Sequence, residues 1–228
     1  MKTMVLSDLL TVRLYLVQML LTSIVVGVVI AWGMGNAYTT IPCIVATNAF
    51  GIGFSLLALD EHKGWDGFRV VLPLTRAQIV HGRYVSLLLV ALYSTVVGCV
   101  VFGAVMAAAW LAPGISVLSA LRAPFDLGLF AVMCCAGLTV AFVTLAVSAP
   151  LSLYFGMTKA LRFLGMAMVL FFVVITIAFA QVDLSFADAV LASENGSVVL
   201  FAGIAGIALV LYALSAAIAS VLYRKREF

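Results

Sequence analysis

The chain has 228 residues, 66% of them hydrophobic and only 9% charged, whereas a water-soluble domain carries charge on roughly a quarter of its residues. A surface this apolar has to face lipid, which excludes a soluble globular protein. The formal net charge of +3 is small and the basic residues are spread along the chain, which leaves nucleic acid out as a partner.

Residues 1–13 mix apolar Met4, Val5, Leu9 and Leu10 with polar Lys2, Ser7, Asp8 and Arg13. That pattern predicts a short amphipathic helix lying along the interface before the chain turns into the membrane. The apolar run that follows is too long for the core of a cleaved signal peptide, so the first span is expected to be retained. Crossing the hydrocarbon core takes about 20 apolar residues. Six stretches qualify: residues 14–32, 42–59, 84–111, 127–149, 163–182 and 198–223. None of the six contains Asp, Glu, Lys, Arg or His. The predicted fold is all-α: a polytopic membrane protein with six transmembrane helices, one transmembrane domain over residues 1–228.

Residues 33–41 turn the chain into the second span, which is barely long enough and holds Gly51 and Gly53. Asn48 lies inside it. A buried amide costs free energy unless another helix or a polar cavity satisfies it, and both partners stay open. Thr47, Asn48 and Ser55 are the candidates for lining a substrate cavity, although Ser and Thr commonly bond back to their own helix.

The segment that follows, residues 60–83, reads DEHKGWDGFRVVLPLTRAQIVHGR. It holds a third of the basic residues and three of the nine acids, interleaved with Trp65, Phe68, Val70, Val71 and Leu72. The charges meet water and the aromatics meet something apolar. Pro73 breaks a helix and biases Leu72 toward extended backbone. Thr75 is placed to cap a new helix from Arg76 to His81 that leads into the third span. Residues 60–83 therefore read either as a snorkelling interfacial hairpin or as a docking surface for a cytoplasmic partner. Arg83 is expected to reach a lipid phosphate or a helix C-terminus.

Beyond the third span, residues 113–126 and 183–197 are longer connectors with apolar residues at spacings suited to short interfacial helices. Cys43, Cys99, Cys134 and Cys135 all sit in apolar stretches and read as small buried hydrophobes, neither a disulfide framework nor a zinc site. Small residues four apart, Gly27 with Ala31 and Ala202 with Gly206, together with Gly98 and Gly103, suit close approach of helix backbones within the subunit or across a dimer.

With the N-terminus inside, eleven of the twelve Lys and Arg fall on inner segments and only Arg122 lies outside. An excess of Lys and Arg marks the cytoplasmic side, so both termini are expected there. No P-loop, no H-E-x-x-H and no G-x-S-x-G occurs, so the chain is not expected to be an enzyme or to hold a metal or cofactor itself. A proton-coupled carrier places Asp, Glu or His at membrane depth. The six stretches have none, so the driving energy is expected from a partner, with sodium coupling through backbone carbonyls left open.

The run DEHKGWDGFRVVLPLTRAQIVHGRYV resembles the segment between the second and third spans of ABC-2 type transporter permeases of the small six-span subgroup. The matching elements are Asp60, Glu61, Trp65 and Asp66, then Leu72, Pro73, Leu74, Thr75 and Arg76, then Ile79, Val80, Arg83 and Tyr84. The resemblance implies the permease subunit of an ATP-driven exporter in a bacterial cytoplasmic membrane. It would work with a separate ABC ATPase subunit that holds ATP and magnesium, and with a second permease copy or paralogue. The segment would seat in a groove of the ATPase. Asp60, Glu61, Lys63, Asp66, Arg69 and Arg76 would make charge pairs there, and Trp65 and Phe68 would anchor in a pocket beside Leu72, Pro73 and Thr75. The apolar spans point to a hydrophobic or amphipathic cargo such as a peptide, lipid-like molecule or drug. The competing readings are an ion-driven or passive transporter and a non-transporting membrane scaffold or immunity protein.

Overall fold

A computed structural model of the chain describes residues 2–62, 75–111, 121, 124–156 and 195–224. Its elements are α1 (Lys2–Met34), a single 3-10 turn (Ala37–Thr39), α2 (Thr40–His62), α3 (Arg76–Leu111), α4 (Leu127–Phe155) and α5 (Gly196–Arg224). Among the described residues no strand occurs. All five helices are long and apolar enough to cross a membrane. The expected span over residues 163–182 lies outside the described residues, as do Lys63, Trp65, Asp66, Phe68, Arg69, Leu72 and Pro73.

Several ends of these helices have a local cause. Gly35, at φ 62°, ends α1 with a backbone twist that a side chain would resist, and its N–H donates to Trp32 O at 3.3 Å. Asn36 then stands extended, and its Oδ1 accepts from Tyr38 N at 2.9 Å, which starts the 3-10 turn. Asp126 caps α4 by accepting from Gly128 N at 2.8 Å and Leu129 N at 3.2 Å. Gly156, at φ 80°, closes α4.

The start of α3 is a reciprocal capping box. Gln78 N donates to Thr75 Oγ1 at 3.3 Å, and Thr75 N donates to Gln78 Oε1 at 3.0 Å. The expected cap at Thr75 is thus present. The helix it opens does not stop at His81 but continues unbroken to Leu111.

The amphipathic segment expected at the N-terminus is not a separate interfacial helix. α1 runs through it without a break for 33 residues, about 50 Å at 1.5 Å per residue. Of its polar positions, Asp8 finds a partner inside the bundle while Arg13 stays exposed. The candidate membrane stretches Val5–Met34 and Ala77–Leu111 consequently take in Asp8 and Arg83, so the helices do carry ionisable groups.

α2 is the most deeply buried of the described helices. It packs against α1, α3 and α4, and Ile41, Ile44, Val45, Ala49 and Ile52 along it are fully buried. In its apolar window 56% of residues are buried, against 17% for α1 and 11% for α5, so α1 and α5 present their apolar faces outward. Glycines set the closest approaches. A Cβ on Gly137 would lie 3.1 Å from Val45 Cβ and 3.2 Å from Pro42 Cα, and one on Gly98 would lie 3.3 Å from Ile41 O. α3 and α4 can therefore press directly on the first half of α2. Gly27 does the same for α1 against Val101. Among the described residues, nothing lies within 4 Å of a Cβ placed on Gly103, Gly203 or Gly206. The cysteines are free and half-buried, with Cys99 Sγ 3.7 Å from Cys134 Sγ across α3 and α4.

Candidate functional site

The helix order places the N-terminus of α1, the end of α2, the start of α3 and the ends of α4 and α5 on one side of the bundle. Polar contacts are concentrated at that end. Arg83, on the third turn of α3, is fully buried, and its Nη1 lies 3.1 Å from Oδ2 of Asp8 on α1, itself 2% exposed. Ser86 Oγ, one turn further along α3, donates to the same carboxylate oxygen at 2.9 Å. Tyr223, near the end of α5, is buried beside the guanidinium. Arg83 therefore does not extend to lipid headgroups: the carboxylate of Asp8 holds it inside the bundle, beside the C-terminal turn of α5. Two opposite charges withdrawn from water need each other, and removing either one of such a pair costs about 3–5 kcal/mol.

Beside this pair, the next residue of α3 faces the other way. Tyr84 packs its ring against Tyr212 of α5, with centroids 5.1 Å apart, and Tyr212 OH donates to the Tyr84 carbonyl at 2.6 Å. The Tyr84 hydroxyl meets Ser215 Oγ at 2.8 Å, and Ser215 Oγ donates to the carbonyl of Ala146 on α4 at 2.6 Å. A serine hydroxyl has one proton to give, and here it goes to a carbonyl, so Tyr84 is the donor to Ser215. Residues 83–86 of α3 thus reach α1 on one side and α5 and α4 on the other.

The Ala146 carbonyl needs an outside donor for a reason written in the sequence. Pro150 lies inside α4, and proline has no N–H for the carbonyl four residues earlier. Ser215 supplies the missing bond. That lets α4 continue to Phe155, past the span limit at residue 149. An apolar cavity of about 380 Å³ lies alongside, lined by Ala146, Val147, Pro150, Leu214 and Ser215 among others.

At the opposite end the closure is aromatic. Tyr38 OH accepts from Asp126 N at 2.7 Å and donates to Pro124 O at 3.3 Å. Its ring lies 4.9 Å from that of Phe102, which in turn neighbours Phe130 and Phe125. A smaller cavity of about 210 Å³ sits there under Asn36 and Tyr38.

The residues expected from sequence fall as follows. Asp60 and Glu61 occupy the last turn of α2, and Arg76 is the first residue of α3; Thr75 forms the cap already described. Asn48 is 2% exposed, and its Oδ1 accepts from Ser23 Oγ of α1 at 3.0 Å, while its Nδ2 has no partner among the described residues. Thr47 bonds back to Cys43 O and Ile44 O, and Ser55 to Gly51 O. Asp8, Tyr84, Pro150 and Ser215 did not figure among the expected site residues. Asp8 is the only acid before Asp60, and a lone acid beside an apolar run was the available signal. Pro150 within an apolar run was the signal for the freed carbonyl.

Residues 3–224 match the family described as ABC-2 family transporter protein. No curated protein and no solved structure matches the chain.

Proposed function

The chain belongs to the ABC-2 transporter family, and from that premise we propose that it is the permease subunit of an ATP-driven exporter. A separate ABC ATPase holds ATP and magnesium. It docks on residues 60–76, with Trp65 and Phe68 as anchors and Asp60, Glu61, Lys63, Asp66, Arg69 and Arg76 as charge partners. The observation that carries the reading is the match over almost the whole chain, joined to helices whose exposed surface is apolar. The Thr75–Gln78 capping box supports the coupling role. It fixes where α3 begins, so a push on the preceding segment arrives at the end of a 36-residue helix.

The end that gathers the N-terminus, Arg76, Arg83 and Arg224 is cytoplasmic in this reading, following the excess of Lys and Arg there. The cargo is hydrophobic or amphipathic, and Thr47, Asn48 and Ser55 line its path when the bundle opens. The second permease copy or paralogue packs on the outward-facing helices. Transport proceeds by alternating exposure of a cavity to the two sides of a cell membrane.

The test is association. The tagged full chain should bring a P-loop ATPase with it on purification. The combined change Trp65→Ala, Asp66→Arg and Phe68→Ala should reduce that association at least about tenfold, since interface anchors of this kind are worth roughly 2 kcal/mol or more each. The amount of folded chain should hold. Normal association and transport with the triple change removes the docking assignment. Failure ever to associate with an ATPase removes the exporter reading, and points to an ion-driven or passive transporter or a scaffold.

A further inference from the structure

α4 contains one break in its backbone hydrogen bonding, and the group that repairs it comes from another helix. Without an N–H at Pro150 the Ala146 carbonyl has lost its helical donor, and the proline ring pushes that carbonyl outward. Serine in a helix commonly turns its hydroxyl back to its own chain. Ser215 instead spans 69 positions of sequence to give its proton to Ala146 O at 2.6 Å. What commits that proton is the Tyr84 hydroxyl, which occupies the acceptor side of Ser215 Oγ at 2.8 Å.

We infer that α4 is hinged at Pro150, with Ser215 as the positioning residue that holds the hinge straight and Tyr84 as the group that keeps Ser215 in place. Three helices are tied through one hydroxyl. A shift of α3 that withdraws Tyr84 releases Ser215, and the last turn of α4, residues 151–155, is then free to swing. A cavity of about 380 Å³ borders the hinge point itself, lined by Ala146, Val147, Pro150 and Ser215 among others. Tyr84 stands only nine positions beyond the capping Thr75, so movement at the start of α3 reaches the hinge through a single rigid stretch of helix. The link to transport rests on the permease reading; the hinge does not.

The experiment is a double-mutant cycle between Ser215→Ala and Pro150→Ala, made in the full chain as purified with whatever copurifies. It is read by amide exchange over residues 147–155 together with transport. With Pro150 present, Ser215→Ala should speed exchange there several-fold to about tenfold, the size of one lost hydrogen bond. With Pro150→Ala, whose N–H returns the helical bond to Ala146, the same change should alter exchange by less than about twofold. Equal effects of Ser215→Ala in both backgrounds overturn the hinge.

Should Pro150→Ala fail to fold, Ser215→Thr and Ser215→Val decide the matter. Thr keeps the hydroxyl and should preserve slow exchange, whereas Val matches its shape without one and should not. Indistinguishable exchange in the Thr and Val variants overturns the proposal. Tyr84→Phe should speed exchange as Ser215→Ala does, and no change on losing the Tyr84 hydroxyl overturns its part. If exchange follows this pattern while no ATPase or transport is found, the hinge stands and the permease reading falls.

Discussion

Arg83 and Asp8 show how a single side chain changes meaning once its neighbour is known. In the sequence Arg83 sits at the mouth of an apolar run and reads as a residue reaching for phosphate. In the folded chain it is fully buried against Asp8, with Ser86 bonded to the same carboxylate. The pair is expected to hold α1 against α3. Asp8→Ala or Arg83→Ala alone should destabilise the chain by about 3–5 kcal/mol, because each leaves a buried charge without its counterpart. The exchange Asp8→Arg with Arg83→Asp should recover part of that loss, and Asp8→Leu with Arg83→Met should recover as much or more, since a well-packed apolar pair avoids the desolvation cost altogether. Unfolding by SDS titration in detergent measures this. Double variants no more stable than the worse single variant would show that the two residues do not act as a pair.

At the scale of helices, packing is decided by where glycine lets backbones touch. α4 meets α2 at Gly137, where any side chain would run into Val45 and the backbone of Pro42. Gly137→Val should therefore cost about 1–3 kcal/mol through overpacking. Gly206→Ala lies in open space on α5 and should be neutral or stabilising by up to about 1 kcal/mol through helix propensity. Thermal unfolding in detergent compares the two. A loss at Gly206 as large as that at Gly137 would show that α5 is covered in the purified protein. The sequence marked both Gly27 and Gly206 as small residues four positions from another, yet only Gly27 is pressed against a neighbour. Spacing reports what a helix permits, and the opposite helix decides whether it is used. Pro150 carries the same lesson: its position shows which carbonyl is released, but not that Ser215 takes it.

For the whole molecule, the arrangement puts Arg76, Arg83 and Arg224 at the end that carries the N-terminus, and the charge rule predicts that this end faces the cytoplasm. With the native cysteines replaced, Asn36→Cys should react with a membrane-impermeant thiol reagent added to intact cells. His81→Cys, which is exposed at the opposite end, should react only after the membrane is opened. The reverse labelling pattern would invert the topology and take the docking segment away from any cytoplasmic ATPase. Much of this was legible in advance. The apolar stretches marked α2 and α5 nearly to both ends, the end of α3 and the start of α4, Thr75 marked the start of α3, and the resemblance in residues 60–84 agrees with the family match over residues 3–224. These features are local: a helix in lipid satisfies its own backbone, so its existence depends on its own residues alone. The N-terminal helix, the burial of Arg83 and the passage of α4 through Pro150 depend instead on Asp8 and Ser215, partners 75 and 65 positions away. Composition and motif determined that this chain lies in a membrane and to which family it belongs. Only the tertiary structure decided which polar groups share the interior, because an ion pair or a rescued carbonyl exists only when two distant stretches of chain are brought within about 3 Å of each other.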